Sequence, residues 1–492
     1  MKKKFLHTLL SVSLGMGILT VSGVPAQAAI EKNPSSSQEI KVDNLYVIAF
    51  KNSLPKDYRE IIEQAGGTIV KILPEVGGVE VQSEQPSFLE KIKNNPSIEA
   101  ANKENPFIQH TPLTLPKLQT TTTTNKINQE SFWDGQWDIQ KVTNEGQSYE
   151  IETGGYKDKD GKTVHKAVVG VIDTGIDPNH PDLKNNIIGG RNFVPAGMDA
   201  SETGDPNDIV DRNGHGTNVA GIIAANGKVK GVGPDLGIRA YRVAFSESAA
   251  ILPSWVIEAI ITAANDDVDV INMSLRYYNT KTMIEGFAET VLWKRAIRYA
   301  VQNDVTVVAG SGNESLNLDD KKAVTTFLNT IYEPYGIKVK GPATAVPAQL
   351  PGVINVSAST QWSTDELAFY SNYGNSAIDV AAPGGDFGSK YAQTQDPEAA
   401  NPFYMIFNTW PTYLDSYISP YPGYDYTMGT SMATPQVAGI AGVIKAANPE
   451  MKPSQITALI KQTAYDYGKP GQDALFGSGE ANAYRALINI KK

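Results

Sequence analysis

Val168-Val-Gly-Val-Ile-Asp173-Thr-Gly175 is a run of mostly β-branched residues closed by an acid and a turn glycine. A strand with almost no polar alternation suits burial on both faces, as in a parallel sheet covered by helices. Comparable runs cover 238–243, 268–273, 305–309 and 353–358, and the first of the set extends over 167–172. Between them, 219–225, 254–265 and 286–302 carry helical spacing. Alternating strands and helices predict a doubly wound α/β domain with a mainly parallel sheet. Its active site should lie at the carboxyl ends of the strands, where Asp173 stands.

Two more blocks put a reactive side chain at the edge of a regular element. Asn213-Gly-His215-Gly-Thr217 sets a histidine between glycines at a helix start, and Gly429-Thr-Ser431-Met-Ala-Thr-Pro435 leads a serine into a helix near 435–447. Each block has a plain structural explanation when taken alone. An Asp after a strand forms turns, a His between glycines occupies a loop, and Gly-Thr-Ser caps a helix. Together they supply what acyl transfer to water requires. A serine hydroxyl is a weak nucleophile unless a base takes its proton, the part His215 would play for Ser431. Asp173 would fix the imidazole tautomer and stabilise its charged form. The other four histidines suit the role less: His7 lies in the N-terminal apolar segment, His110 before a Thr-rich tract, His165 upstream of the first strand and His180 between prolines.

The bulk properties fit this reading. With 492 residues, 41% hydrophobic and 20% charged, the chain can bury a large core. A formal charge of -10 and pI near 5.2 argue against nucleic acid as a partner. The absence of cysteine excludes thiol catalysis and disulfides. No H-E-x-x-H zinc motif occurs, and Met432 and Ala433 after the serine break the G-x-S-x-G pattern of esterases.

Lys2, Lys3 and Lys4, an apolar run to about Val24, and Ala26-Gln27-Ala28 have the layout of a secretory signal peptide over 1–28. A secreted, extracellular protein is expected, with no membrane association once the signal is removed. A polar spacer (29–39) precedes a small α+β module at 40–108, with strands at 45–50, 67–72 and 78–81 and helices at 58–65 and 87–93. Residues 109–131, with Pro112, Pro116 and Thr120 to Thr124, read as an exposed linker and a natural cleavage site. The catalytic domain is expected over 132–492.

The three blocks, in the chain order Asp, His, Ser, resemble the subtilase family of subtilisin-like serine proteases. So do Val270-Ile-Asn-Met-Ser-Leu275, Ala309-Gly-Ser-Gly-Asn313 and Phe476-Gly-Ser-Gly479. The resemblance runs from about Trp137 to Ala486. It implies a three-layer α/β fold and a serine endopeptidase acting on peptide or protein substrates, with no cofactor required for catalysis and a monomeric state. It implies that Asn313 donates to the oxyanion beside the Ser431 N–H, and that Ser274 and Leu275 bind an extended substrate as an added strand. The module at 40–108 resembles the family's inhibitory propeptide, a transient inhibitor that the enzyme itself removes; an independent binding domain is the alternative.

The chain departs from the family in several places. Asp182 matches an acid that helps hold calcium in secreted subtilisins, but 225–231 is shorter than the usual calcium loop and carries Lys228 and Lys230. That structural calcium site is therefore expected to be absent or altered, and no metal ligand is assigned. Arg276 stands where relatives commonly have glycine. Glu314, with Asp319 and Asp320 nearby, would place negative charge at the substrate pocket and favour a basic residue before the scissile bond; a solvated acidic loop is the alternative. The aromatic stretch at 402–426 is longer than in simple subtilisins and reads as a lid, a specificity loop or a packed insertion. These features, with Trp137-Asp-Ile-Gln-Lys-Val-Thr143, resemble the lantibiotic leader-peptidase branch, and the resemblance implies removal of a leader from a modified peptide precursor, commonly after a basic residue. A broad degradative protease is the second expectation, and a non-catalytic binding protein on the same scaffold the third.

Overall fold

The computed structural model describes residues 44–104, 107–108, 130–198, 200–245, 250–280, 288–333 and 338–490. The expected signal peptide, the polar spacer and nearly all of the linker lie outside the described residues. Seven strands form the central sheet: β5 (Val168–Asp173), β6 (Ile187–Asn192), β7 (Gly237–Arg242), β8 (Val270–Met273), β9 (Thr306–Gly310), β10 (Val353–Ser359) and β11 (Val380–Pro383). Their spatial order is β11-β10-β9-β8-β5-β7-β6, and every neighbouring pair is parallel.

Pleating sends alternate side chains to opposite faces, and each face is covered by helices. Val169 and Val171 of β5, Val270 and Val308 pack with Ile222 and Ile223 of α3 (His215–Ala224) and with Val437, Ile440 and Ile444 of α6 (Thr430–Ala447). Ile172, Ile271, Met273 and Val307 pack on the other side with Trp255 and Ile260 of α4 (Pro253–Asn265) and Trp293 and Ile297 of α5 (Ala288–Gln302). Both faces are apolar, which is why these strands lack alternation; each side chain so buried contributes about 1.5–3 kcal/mol. The three layers are thus helices, sheet and helices.

The five strands expected from sequence lie within two residues of their expected bounds, while β6 and β11 were not expected. β6, Ile187-Ile-Gly-Gly-Arg-Asn192, carries two glycines and two polar residues that break the apolar run.

The N-terminal module comprises β1 (Leu45–Phe50), α1 (Tyr58–Ala65), β2 (Thr68–Leu73), β3 (Gly78–Gln82), α2 (Phe88–Lys93) and β4 (Ile98–Lys103). Its antiparallel sheet has the order β2-β3-β1-β4, with the fourth strand beyond the three expected. Phe107–Ile108 leaves this sheet and pairs antiparallel with Ala250–Ile251 of the large domain. The module packs on α4 and α5: Leu45, Val47, Leu73 and Val76 share a buried cluster with Trp255, Leu292 and Trp293. Arg295 donates to the carbonyls of Phe50 at 2.8 Å and Val76 at 2.7 Å.

Candidate active site

Asp173 ends β5 fully buried, and its Oδ1 accepts from His215 Nδ1 at 2.7 Å and from the Thr174 N–H at 2.8 Å. His215 opens α3, four residues earlier than the helix expected from spacing. Asp211 shapes the loop that delivers it. One of its oxygens accepts from the Gly214 N–H at 2.8 Å and from Thr174 Oγ1 at 2.9 Å, and the other from Thr217 at the N–H (2.9 Å) and Oγ1 (2.7 Å). Position 216 must be glycine, because a Cβ there would stand 2.1 Å from the Gly175 carbonyl oxygen. The loop after β5 and the start of α3 therefore touch backbone to backbone.

Burial disfavours a charged imidazole at His215. The Asp173 carboxylate, its hydrogen bond and the Asp211 charge outweigh burial and hold the His215 pKa above its ordinary value. Such a group is a stronger base, stabilised as it takes up a proton.

Ser431 is half-buried in the first turn of α6, which packs against α3. The sequence reading placed the helix from 435; it begins at Thr430 and contains Pro435. Pro435 has no N–H for the carbonyl four residues back, that of Ser431. Ser274 Oγ donates to that carbonyl instead, at 2.8 Å, and itself accepts from Asn272 Nδ2 at 3.1 Å. Ser431 Oγ in turn donates to the Ser274 carbonyl at 3.3 Å.

A cavity beside Ser431 is walled by Ser274, Leu275, Arg276, Gly312, Asn313 and Thr430. Asn313 Oδ1 accepts from the Thr430 N–H and Oγ1, both at 2.9 Å, which turns its Nδ2 donors the other way. Gly429 has φ 146° and ψ 164°, a conformation open essentially to glycine alone. An ideal Cβ on it would stand 3.4 Å from Asn313 Nδ2 and 3.6 Å from the Ser431 nitrogen. Both nitrogens thus lie close to Gly429 at the positive end of a helix.

Glu314, expected as an acid of the pocket, is instead taken up in a network. Arg276 Nη2 pairs with its Oε1, while Oε2 accepts from Tyr278 Oη at 2.7 Å and Asn372 Nδ2 at 2.8 Å. Asp319 and Asp320 are likewise engaged: Asp319 accepts from the Ser376 N–H at 3.0 Å, and Asp320 caps the helix Lys321–Tyr332.

The Asp182 carboxylate accepts from the Val229 N–H and from Tyr424 Oη, both at 3.0 Å, and so ties down the short 225–231 segment. Both donors reach the same oxygen, Oδ2. Among the described residues no group of three or more His, Asp or Glu gathers as a metal site.

The aromatic insertion is packed at its two strands, while Phe403, Tyr413 and Tyr417 are exposed. Ile406–Thr409 and Tyr424–Thr427 form a buried antiparallel hairpin against α3. Thr409 Oγ1 donates to the Thr217 carbonyl at 2.8 Å, Asn218 Nδ2 to the Thr409 carbonyl at 3.0 Å, and Tyr413 Oη to the Asp211 carbonyl at 2.9 Å. The hairpin braces the loop that carries His215. Asp211 and Asn272 were not singled out from sequence; the signal for Asn272 was a lone amide inside an apolar strand.

Residues 165–479 match the subtilase family model, and the chain belongs to that family. It is a serine-type endopeptidase. It is 34% identical over 386 residues to the nisin leader peptide-processing serine protease of Lactococcus lactis subsp. lactis, a match covering 75% of this chain and 52% of that protein. It is 29% identical over 461 residues to the epidermin leader peptide-processing serine protease of Staphylococcus epidermidis, covering 90% and 92%. The crystal structure of the epidermin leader peptide processing serine protease of Staphylococcus aureus superposes with a TM-score of 0.71 at 28% identity, covering 91% of this chain and 99% of that one. The chain therefore spans about half the length of the nisin-processing relative and most of the epidermin-processing ones. Among the described residues no helix is long and apolar enough to cross a membrane.

Proposed function

We propose that this chain is an exported endopeptidase that removes the leader from a lantibiotic precursor through an Asp173–His215–Ser431 triad. The observation that carries the chemistry is the buried 2.7 Å bond between Asp173 and His215 at the carboxyl end of the sheet. The two relatives named for leader processing support the substrate class.

In this reading Ser431 Oγ attacks the scissile carbonyl as His215 takes its proton. Asn313 Nδ2 and the Ser431 N–H receive the oxyanion. Collapse of the intermediate expels the amine, which takes the proton from His215. Water, deprotonated by the same imidazole, then hydrolyses the acyl-enzyme. Ser274 and Leu275 hold the substrate as an added strand.

The module before the linker acts as an inhibitory propeptide. Two observations support this: its sheet is docked on α4 and α5, and Phe107–Ile108 already pairs with an edge of the catalytic domain. The enzyme works as a monomer without a cofactor.

The test is the full-length chain beside Ser431→Ala, followed by intact mass spectrometry with a lantibiotic precursor and unfolded casein as substrates. The native form should shorten within 109–131 and cut the precursor at its leader junction, while Ser431→Ala stays full length and inactive. Equal behaviour of the two forms refutes the triad; general cleavage of casein with no preference for the junction refutes leader processing.

A further inference from the structure

Arg276 lies in the wall of the cavity that holds Ser431 and Asn313, whereas Glu314 does not line it. The Arg276 side chain crosses Gly312, where a Cβ would stand 2.6 Å from Arg276 Cδ, so a side chain at 312 would block its path. The guanidinium then sits 4.6 Å from the centre of the Tyr278 ring and pairs with Glu314 through one nitrogen, Nη2. Only 13% of the Arg276 side chain and 4% of the Glu314 side chain are exposed. The surface that a substrate side chain meets is therefore a held cation.

We propose that Arg276 sets the specificity of this pocket: it turns away Lys and Arg before the scissile bond and favours a side chain that brings a hydrogen-bond acceptor, Gln or Glu. The proposal rests on Ser431 being the nucleophile, because that places the cavity against the residue preceding the cut. An incoming ammonium or guanidinium can reach Glu314 only by displacing Arg276, leaving a buried charge without its partner. Short of that, it faces a like charge in a partly desolvated pocket. An acceptor meets the opposite situation. A guanidinium carries five N–H donors in a planar fork; Glu314 takes one arm, leaving Nε and Nη1 to donate charge-assisted hydrogen bonds. The basic preference expected from the acid at 314 gives way in this reading, because Arg276 already answers that acid.

The experiment uses matured enzyme and quenched peptides identical except for the residue before the cut: Gln, Glu, Leu, Lys or Arg. The native enzyme should cleave the Gln and Glu peptides with kcat/KM at least about tenfold above the Lys and Arg peptides. Arg276→Ala removes the cation between Glu314 and the cavity and should move the Lys-to-Gln ratio toward Lys by about a hundredfold, and Arg276→Ala/Glu314→Gln should lose both preferences. Glu314→Gln provides a variant that keeps the cation, and it should strengthen the preference for Glu over Leu. A native preference for Lys or Arg, or a preference unchanged by removing Arg276, overturns the proposal. If no peptide is cut and Ser431→Ala behaves as the native enzyme does, the nucleophile reading fails and the proposal falls with it.

Discussion

Ser431 is held by its neighbours through the backbone as much as through its hydroxyl. Pro435 leaves the Ser431 carbonyl without the donor a regular helix supplies, and Ser274 Oγ fills the gap at 2.8 Å. Ser274→Ala should therefore leave a part-buried carbonyl without this donor, at a cost of about 1 kcal/mol, and, with Ser431 as the proposed nucleophile, lower kcat. Pro435→Ala restores an N–H able to reach the same carbonyl. The double variant should then be more stable than the sum of the single changes by at least about 0.5 kcal/mol, measured as a denaturant-midpoint cycle. Strict additivity would show that the Ser274 contact is incidental. At this scale the three side chains proposed as the triad stood out in the sequence, because Asp173, His215 and Ser431 each sit in a long, specific block. Their supports did not. Asp211, bonded to Thr174, and the Arg276–Glu314 pair act through contacts between segments far apart in sequence, which spacing within one segment does not record, and Asn272 left only the trace of an amide inside an apolar strand.

The elements that position the site were legible where burial imposes a period. β5, β7, β8, β9 and β10 are covered on both faces, so continuous β-branched runs betray them. The hairpin of Ile406–Thr409 and Tyr424–Thr427 could not be told from a lid, because its role depends on its packing against α3. A similar cross-element contact governs the helix Trp137–Thr143, whose Asp138 is fully buried and accepts from Gln436 Nε2 at 3.2 Å. Asp138 Oδ1 and Gln436 Oε1 both lack a donor, and a proton on Asp138 would supply one. Burial accordingly raises the Asp138 pKa to about 7. A folded-state value above the unfolded one means stability is fully present below about pH 4 and is lost as pH rises to about 7. Asp138→Asn, in the Ser431→Ala background to prevent self-digestion, should remove that loss. Its urea midpoint should gain on the parent by an amount that grows between pH 4 and 7, at up to about 1.4 kcal/mol per pH unit. A difference independent of pH would mean that Asp138 stays ionised in the fold.

In the whole molecule, the module and the catalytic domain meet over a surface that holds three buried carboxylates, Glu80, Glu104 and Glu289. Glu104 accepts from the Ser254 N–H at 2.6 Å and Glu80 from Ser254 Oγ at 3.3 Å, where the start of α4 favours negative charge. Glu289, on α5, accepts from Asn102 Nδ2 at 3.0 Å and Tyr277 Oη at 3.3 Å. Lys71 is a nearby cation, and it pairs with Glu258 at 2.5 Å. Burial pushes Glu289 up to about 8, with its hydrogen bonds opposing; burial and the charges of Glu80 and Glu289 push Glu104 well above the carboxylate range. These docked values exceed those of exposed glutamates, so docking takes up protons. It is strongest below about pH 4.5, the ordinary glutamate value, and weakens as pH climbs through about 8. Hydrogen exchange of β1 in the uncut Ser431→Ala chain, corrected for the intrinsic rate, reports this directly. Protection should fall by up to about tenfold per pH unit for each proton released, with the Glu289 contribution flattening above about pH 8. Glu289→Gln keeps an acceptor for Asn102 and removes the titration, so it should shallow the slope. An identical slope in Glu289→Gln would show that the release of the module is indifferent to this carboxylate. A shallower one would mean that alkaline surroundings help free the catalytic domain from the segment that covers it.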